Sequence, residues 1–281
     1  MAALKRIPAL LGALLLTAAC SHELDTIGMF YTPDTADQRF SESMEYNATH
    51  PRTVMAPANS YKIIFTGDSH VGGTVHLEKV LGIAADSSAV CLVIAGDVTT
   101  GNEEDYLTAS ELLGEPRPFD IAVTAGNHDL YFGGWEYFRE HFGSSAYALT
   151  VNSGTESDLY LFLDSGSGTL GSLQTAWLKE QLANREAYRY VVVVTHLNFF
   201  RNRFTSSTNP LNQEVLALLD LFERSKVNLV MMGHDHLRYE DRFGHATYIT
   251  MDALVDDFPG ASYVLVTAGT DGIVYRFEEL E

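Results

Sequence analysis

From residue 61 onward, short apolar runs alternate with segments whose apolar positions recur every three or four residues. The runs at 61–66, 90–95 and 119–124 read as strands, and the segments 74–85 and 103–113 as helices. These strands are apolar nearly throughout instead of at every second residue. That pattern belongs to strands covered on both faces, so a parallel, doubly covered sheet is expected. Further on, 133–142 reads as a helix. Strands at 147–151 and 159–163 flank a turn-rich stretch, 152–158. Helical spacing returns at 172–184, where Leu173, Ala176, Trp177 and Leu182 recur, and again at 209–224. Strands at 190–194 and 227–232 precede a tail, 238–277, that reads as three or four antiparallel strands.

The first 60 residues follow other rules. Lys5 and Arg6 precede an apolar stretch, 7–19, too short for a confident membrane span. It ends in Leu16-Thr17-Ala18-Ala19-Cys20, which resembles a bacterial lipobox. The resemblance implies a signal peptide over 1–19, cleavage before Cys20 and lipid on its thiol. The expected location is extracytoplasmic, with the chain lipid-anchored to a bacterial membrane. Residues 20–60 form a tether and N-terminal extension carrying Pro33, Pro51 and Pro57. Phe30, Tyr31, Phe40, Met44 and Tyr46 are too many apolar groups for a pure spacer, so a short helix near 34–46, packed on the domain, is expected. The folded domain then spans 61–281. With Cys20 acylated, Cys91 has no partner and no disulfide framework is possible; its apolar run makes it a buried residue.

The 281 residues carry a formal net charge of -19. Such a surface repels a phosphate backbone, which argues against a nucleic-acid partner. A small anionic substrate would then need local positive charge, and bound metal ions supply it.

Five motifs carry the candidate chemistry: Asp68-Ser69-His70, Gly96-Asp97, Gly126-Asn127-His128-Asp129, a lone His196, and Gly233-His234-Asp235-His236. Each directly follows a predicted strand, where open α/β sheets place their ligands. Together they offer carboxylate, imidazole and amide groups and no thiolate, a mix suited to two hard or borderline divalent ions. Hydrolysis of a phosphate ester by a hydroxide bridging the two ions is the chemistry this implies. Glycines at 67, 96, 126 and 233 are expected to permit sharp turns out of the strands.

In this order and spacing the motifs resemble the calcineurin-like metallophosphoesterase superfamily, including small bacterial lipoprotein members and relatives of the class III cyclic-nucleotide phosphodiesterases. The resemblance implies an α/β fold, a four-layer α/β/β/α sandwich of two mixed sheets, with the metallophosphoesterase domain at 61–281. It implies that Asp68, His70, Asp97 and His236 hold one metal. Asp97, Asn127, His196 and His234 would hold the other, with Asp97 bridging. The ions would be Mn, Fe or Zn. A carboxylate can bridge two cations where an imidazole normally cannot, and neutral Asn127 leaves its metal the stronger Lewis acid. His128 would face the substrate as a catalytic residue, with Asp129 orienting it to protonate a leaving oxygen.

Position 100 is Thr100, where purple acid phosphatases carry a tyrosine, so a charge-transfer ligand is not expected. The stretch from Gly96 through Gly101, with Glu103, Asp105 and Tyr106, resembles small bacterial cyclic-nucleotide phosphodiesterases and biases the reading toward a phosphodiesterase. A broad-specificity phosphomonoesterase is the alternative, and a non-catalytic surface-binding lipoprotein the rival outside enzymes. The partners are a phosphate-ester substrate and a membrane reached through Cys20. Arg201 is a candidate phosphate contact, and Phe199, Phe200 and Phe204 could wall an aromatic leaving group. His22, His50, His76, His141 and His245 fall outside the motifs and read as exposed or structural.

Overall fold

The computed structural model describes residues 32–200 and 208–280. The described residues open with α1 (Ala36–Asn47), β1 (Arg52–Ala56), β2 (Tyr61–Thr66), α2 (Val75–Asp86), β3 (Cys91–Ala95), α3 (Glu103–Gly114) and β4 (Asp120–Thr124). A 3-10 turn at His128–Gly133 leads into α4 (Trp135–Phe142) and the strands β5 (Tyr147–Ser153) and β6 (Glu156–Leu163). Then come α5 (Gly171–Ala183), β7 (Val191–Thr195), α6 (Asn212–Arg224) and β8 (Leu229–Met232). The last strands are β9 (Tyr239–Phe243), β10 (Ala246–Thr250), β11 (Ser262–Gly269) and β12 (Gly272–Glu279).

The strands form two mixed sheets, one ordered β1-β5-β6-β7-β8-β10-β9 and the other β12-β11-β2-β3-β4. Their strands explain the unbroken apolar runs. Ile63 and Phe65 of β2, with Cys91 and Val93 of β3, face the other sheet in a shared inner core. Ile64, Leu92 and Ile94 point the opposite way, onto Leu77, Val80, Tyr106 and Trp135 of the flanking helical layer. In the larger sheet Val192 and Val194 face inward, while Val191 and Val193 face Leu178, Leu218 and Phe222 of α5 and α6. Alternate side chains of a strand point to opposite faces, so both must be apolar where both are covered. The result is the four-layer α/β/β/α sandwich. Each sheet is covered once by helices and once by the other sheet, and each is mixed instead of purely parallel.

The N-terminal helix forms as expected. Thr35 caps it, accepting from Gln38 N at 3.2 Å, and Phe40 packs against Trp177 of α5 at 5.7 Å between ring centroids. Strand β1 follows it and adds to the sheet edge, parallel to β5. The segment 152–158 is mostly strand, since the ladder of β5 and β6 continues to Ser153↔Glu156. Its polar Asp158 resembles a turn residue in the sequence. In the fold it is buried, accepting from Tyr61 Oη at 2.7 Å, from Tyr190 N at 3.0 Å and from Arg189. The tail is not one antiparallel unit either. Strands β9 and β10 join the larger sheet, β10 running parallel to β8, while β11 and β12 join the smaller one. Where the chain crosses between sheets, Leu254 N donates to the carbonyls of Gly67 and Asp68 at 3.1 and 3.2 Å.

Residues 1–19, read as a signal peptide, and Cys20, Phe30, Tyr31, Arg201 and Phe204 lie outside the described residues. Among the described residues no helix is long and apolar enough to cross a membrane.

Candidate metal centre

The five motifs occupy the loops directly after β2, β3, β4, β7 and β8, at one end of both sheets. Their backbone is unusual. Asp68, His70, Asp97, His234 and His236 have φ of 53°, 41°, 47°, 73° and 57°. The left-handed region costs an L-residue roughly 1–2 kcal/mol, so the surroundings must hold these residues there. The ladder does so by running past the strands: Asp68 N donates to Gly96 O at 3.0 Å and His70 N to Asp97 O at 2.9 Å. Strain of this kind clusters at functional sites.

Of the four glycines expected to make turns, only Gly96 has a positive φ, 82°. Gly126 and Gly233 serve close approach, while a Cβ on Gly67 would meet nothing nearer than 3.4 Å. A Cβ on Gly126 would lie 2.2 Å from Asp97 Oδ1, and one on Gly233 would lie 2.5 Å from Asp68 Oδ2.

The side chains converge in two overlapping groups. In the first, His236 Nε2 lies 3.2 Å from Asp68 Oδ1 and 3.3 Å from His70 Nε2. In the second, His196 Nε2 lies 3.1 Å from Asn127 Oδ1, 3.3 Å from Asp97 Oδ2 and 3.3 Å from His234 Nδ1. The groups meet on one atom, Asp97 Oδ2, which is also 3.7 Å from His70 Nε2. The other oxygen, Oδ1, accepts from His128 N at 2.8 Å.

Ring and amide orientations are set from outside the cluster. His196 Nδ1 lies 3.0 Å from the Ala95 carbonyl, which makes Nδ1 the protonated nitrogen and turns the lone pair of Nε2 inward. Asn127 Nδ2 donates to Tyr131 Oη at 2.6 Å, leaving Oδ1 to face the cluster.

Buried acceptors crowded this closely repel one another unless something positive lies between them. Burial alone would lower the basicity of His196, but Asp97 and Asp68 outweigh it and push the imidazole up to about 9. For Asp97, burial works upward, yet the His196, His128 and His70 rings hold its carboxyl well below the usual carboxylate range. His70 is shifted down by burial, against the pull of Asp97 and Asp68. A field that keeps a proton on His196 is one that a divalent cation would satisfy. The donor set therefore fits two such ions: oxygen and imidazole ligands, a shared carboxylate and mostly buried positions.

His128 is half-buried at the edge of the cluster. Its ring packs edge-on against His70 at 4.5 Å and, tilted, against Tyr131 at 4.6 Å. A ring atom of His128 also falls within 4.8 Å of ligand atoms of His70 and Asp97.

Asp129 is placed differently from its expected role. Its carboxylate accepts from Gly126 N at 2.9 Å, Val98 N at 3.1 Å, and Thr99 N and Oγ1 at 2.9 and 3.0 Å. It ties the β3 and β4 loops together and makes no hydrogen bond to the His128 ring. Burial, then the neighbouring Asp97 charge, push it up to about 7 against those backbone donors.

Phe199 and Phe200 pack on Tyr248 and belong to the helix-side core, not to a substrate wall. His22 lies outside the described residues; of the other histidines beyond the motifs, His50 and His245 are exposed, His76 Nδ1 meets the Leu254 and Val255 carbonyls, and His141 Nδ1 meets Ser110 Oγ. Tyr131 is a site residue that the sequence reading lacked. Its only signal was an aromatic ring following the Gly126 motif.

The sequence profile of the calcineurin-like phosphoesterases matches residues 61–238. The chain belongs to this family and is a phosphoric ester hydrolase of the metallophosphoesterase type. Solved structures share the fold. A dimetal phosphatase from Danio rerio aligns at a TM-score of 0.57 and 14% identity, covering 78% of this chain and 96% of that one. The anchor in the inner membrane complex of Plasmodium aligns at 0.58 and 14% identity, covering 78% and 84%. A putative 5′-nucleotidase from Staphylococcus aureus aligns at 0.54 and 14% identity, covering 78% of this chain and 54% of that chain. No curated protein sequence matches the chain.

Proposed function

We propose that the protein is a binuclear metal-dependent phosphodiesterase, lipid-anchored on the outer side of a bacterial membrane. The observation that carries the metal reading is Asp97 Oδ2, set 3.3 Å from His196 Nε2 and 3.7 Å from His70 Nε2. Asp68, His70, Asp97 and His236 would hold one ion, and Asp97, Asn127, His196 and His234 the other. With divalent ions bound there, Mn, Fe or Zn, the centre would supply Lewis acidity that activates water at neutral pH and offsets the charge of the phosphate's non-bridging oxygens.

The chain's own groups do the rest. His128 N fixes Asp97 by holding Oδ1, so Oδ2 is left facing His196 and His70. Tyr131 fixes the amide of Asn127. The half-buried His128 ring, packed on His70 and Tyr131 at the edge of the cluster, would protonate the departing oxygen.

Preference for diesters is supported by the Gly96 to Gly101 stretch with Glu103, Asp105 and Tyr106. A panel of alkyl and aryl phosphodiesters, cyclic nucleotides and monoesters, offered to manganese-loaded protein, tests it. Faster turnover of monoesters than of any diester would replace this reading with a broad-specificity phosphomonoesterase. No turnover of any ester, with both ions bound, would favour a surface-binding lipoprotein. Anchoring is supported by Lys5, Arg6, the apolar 7–19 and Cys20.

A further inference from the structure

The N-terminal helix α1 reaches the metal centre through a buried ion pair. Arg39 and Asp164 are both fully buried, although they belong to elements far apart in sequence. Arg39 Nε donates to Asp164 Oδ2 at 2.8 Å and Nη2 to Oδ1 at 2.9 Å, a two-pronged pair. The same guanidinium reaches Ser167 Oγ at 2.9 Å and the Asp34 carbonyl at 2.7 Å. Asp164 is held further by Ser145 Oγ at 2.8 Å and, through its backbone, by Gln174. Residues 164–168, which follow β6, are thereby fixed along their length.

Two loops of the second ligand group, those of His196 and Asn127, rest on that segment. Ser165 Oγ accepts from Leu197 N at 3.0 Å and from Thr195 Oγ1 at 2.8 Å, so it brackets His196 on both sides. Gly166 lies against the Gly126 loop so closely that a Cβ would come within 2.5 Å of the Gly126 carbonyl. Gly126 directly precedes Asn127. Asp68 and His70 follow β2, and none of these hydrogen bonds involves their loop.

A buried ion pair contributes little net stability, because desolvation offsets the attraction. Its effect here is geometric. We propose that Arg39 is a positioning residue for the half of the metal centre formed by Asn127, His196 and His234. It acts through Asp164 and Ser165 on the loops that carry Asn127 and His196. The inference rests on the two-ion reading given under Proposed function. Partners outside the ligand shell typically alter metal affinity by about 10–100-fold.

The test is calorimetric titration of metal-free, full-length protein with Mn²⁺. Four variants are compared with wild type: Arg39→Lys, Ser165→Ala, His196→Ala and His236→Ala. The lysine keeps the buried charge but loses the fork. Ser165→Ala breaks the far end of the link and leaves the ion pair intact. Wild type should bind two Mn²⁺. In both Arg39→Lys and Ser165→Ala, the ion lost in His196→Ala should bind about tenfold or more weakly. The ion lost in His236→Ala should bind as in wild type. A merely structural role would lower the unfolding temperature and leave both affinities unchanged, and that result overturns the proposal. Equal weakening of both ions overturns it too. Wild type binding fewer than two Mn²⁺ would instead overturn the underlying two-ion reading.

Discussion

His128 is anchored to the centre by its backbone, through the bond from its N–H to Asp97 Oδ1, while its ring leans on His70 and Tyr131. His128→Ala keeps that backbone anchor and should keep both metals. Positioned proton transfer is worth roughly 10²–10⁴-fold. The loss in kcat/KM should be of that order for an alkyl phosphodiester and much smaller for its nitrophenyl counterpart, whose leaving group departs without protonation. Equal losses on both would show that the ring only stabilises charge on phosphorus. Gly126→Ala is a second residue-scale case, because its Cβ would fall 2.2 Å from Asp97 Oδ1. It should bind less than the wild-type complement of metal while remaining folded, as read by metal analysis beside circular dichroism. Cys91 is fully buried, and burial pushes its thiol up. Alkylation mapped to Cys91 at pH 8 should therefore appear only on unfolding, and rapid labelling of native protein would contradict its place between the sheets. Among residues, the ligand types were legible because each follows a strand end. The task of Asp129 was not, because a carboxylate that binds backbone N–H groups looks in sequence like one that orients a histidine.

At the scale of elements, the central strands were legible because both of their faces are buried. Strand β1 was not: among its five residues only Val54 is buried, as suits a sheet edge, so it leaves no apolar run. The hairpin of β5 and β6 was foreshortened because Asp158 satisfies its charge with Tyr61 and Arg189, partners distant in sequence. Helix α1 is read correctly from its aromatic residues, yet Arg39 looks there like a surface charge. Its packing makes a quantitative prediction. Phe40 is 6% exposed, against Trp177. Phe40→Ala should cost about 3 kcal/mol in unfolding by denaturant, as expected for a large aromatic deleted from a core. A change below about 0.5 kcal/mol, the range of surface substitutions, would mean that α1 is not docked as described.

For the whole molecule, the net charge of -19 and the ligand set act together. An acidic protein that hydrolyses anionic esters depends on its metal ions for the attraction, so chelation should abolish turnover and Mn²⁺ should restore it. The sequence also predicts that the wild-type chain partitions with bacterial membranes and that Cys20→Ala is not lipidated. A fully soluble wild-type protein would contradict the anchor. The overall site was legible because five loops from two sheets meet at one end, and each loop carries its own motif. The measurement that bears most directly on the account is metal content per chain in purified wild type, Asp97→Ala and His196→Ala. Wild type should approach two ions, Asp97→Ala should lose both because the shared oxygen is gone, and His196→Ala should lose mainly one. Two ions retained in Asp97→Ala would contradict a centre built around that carboxylate.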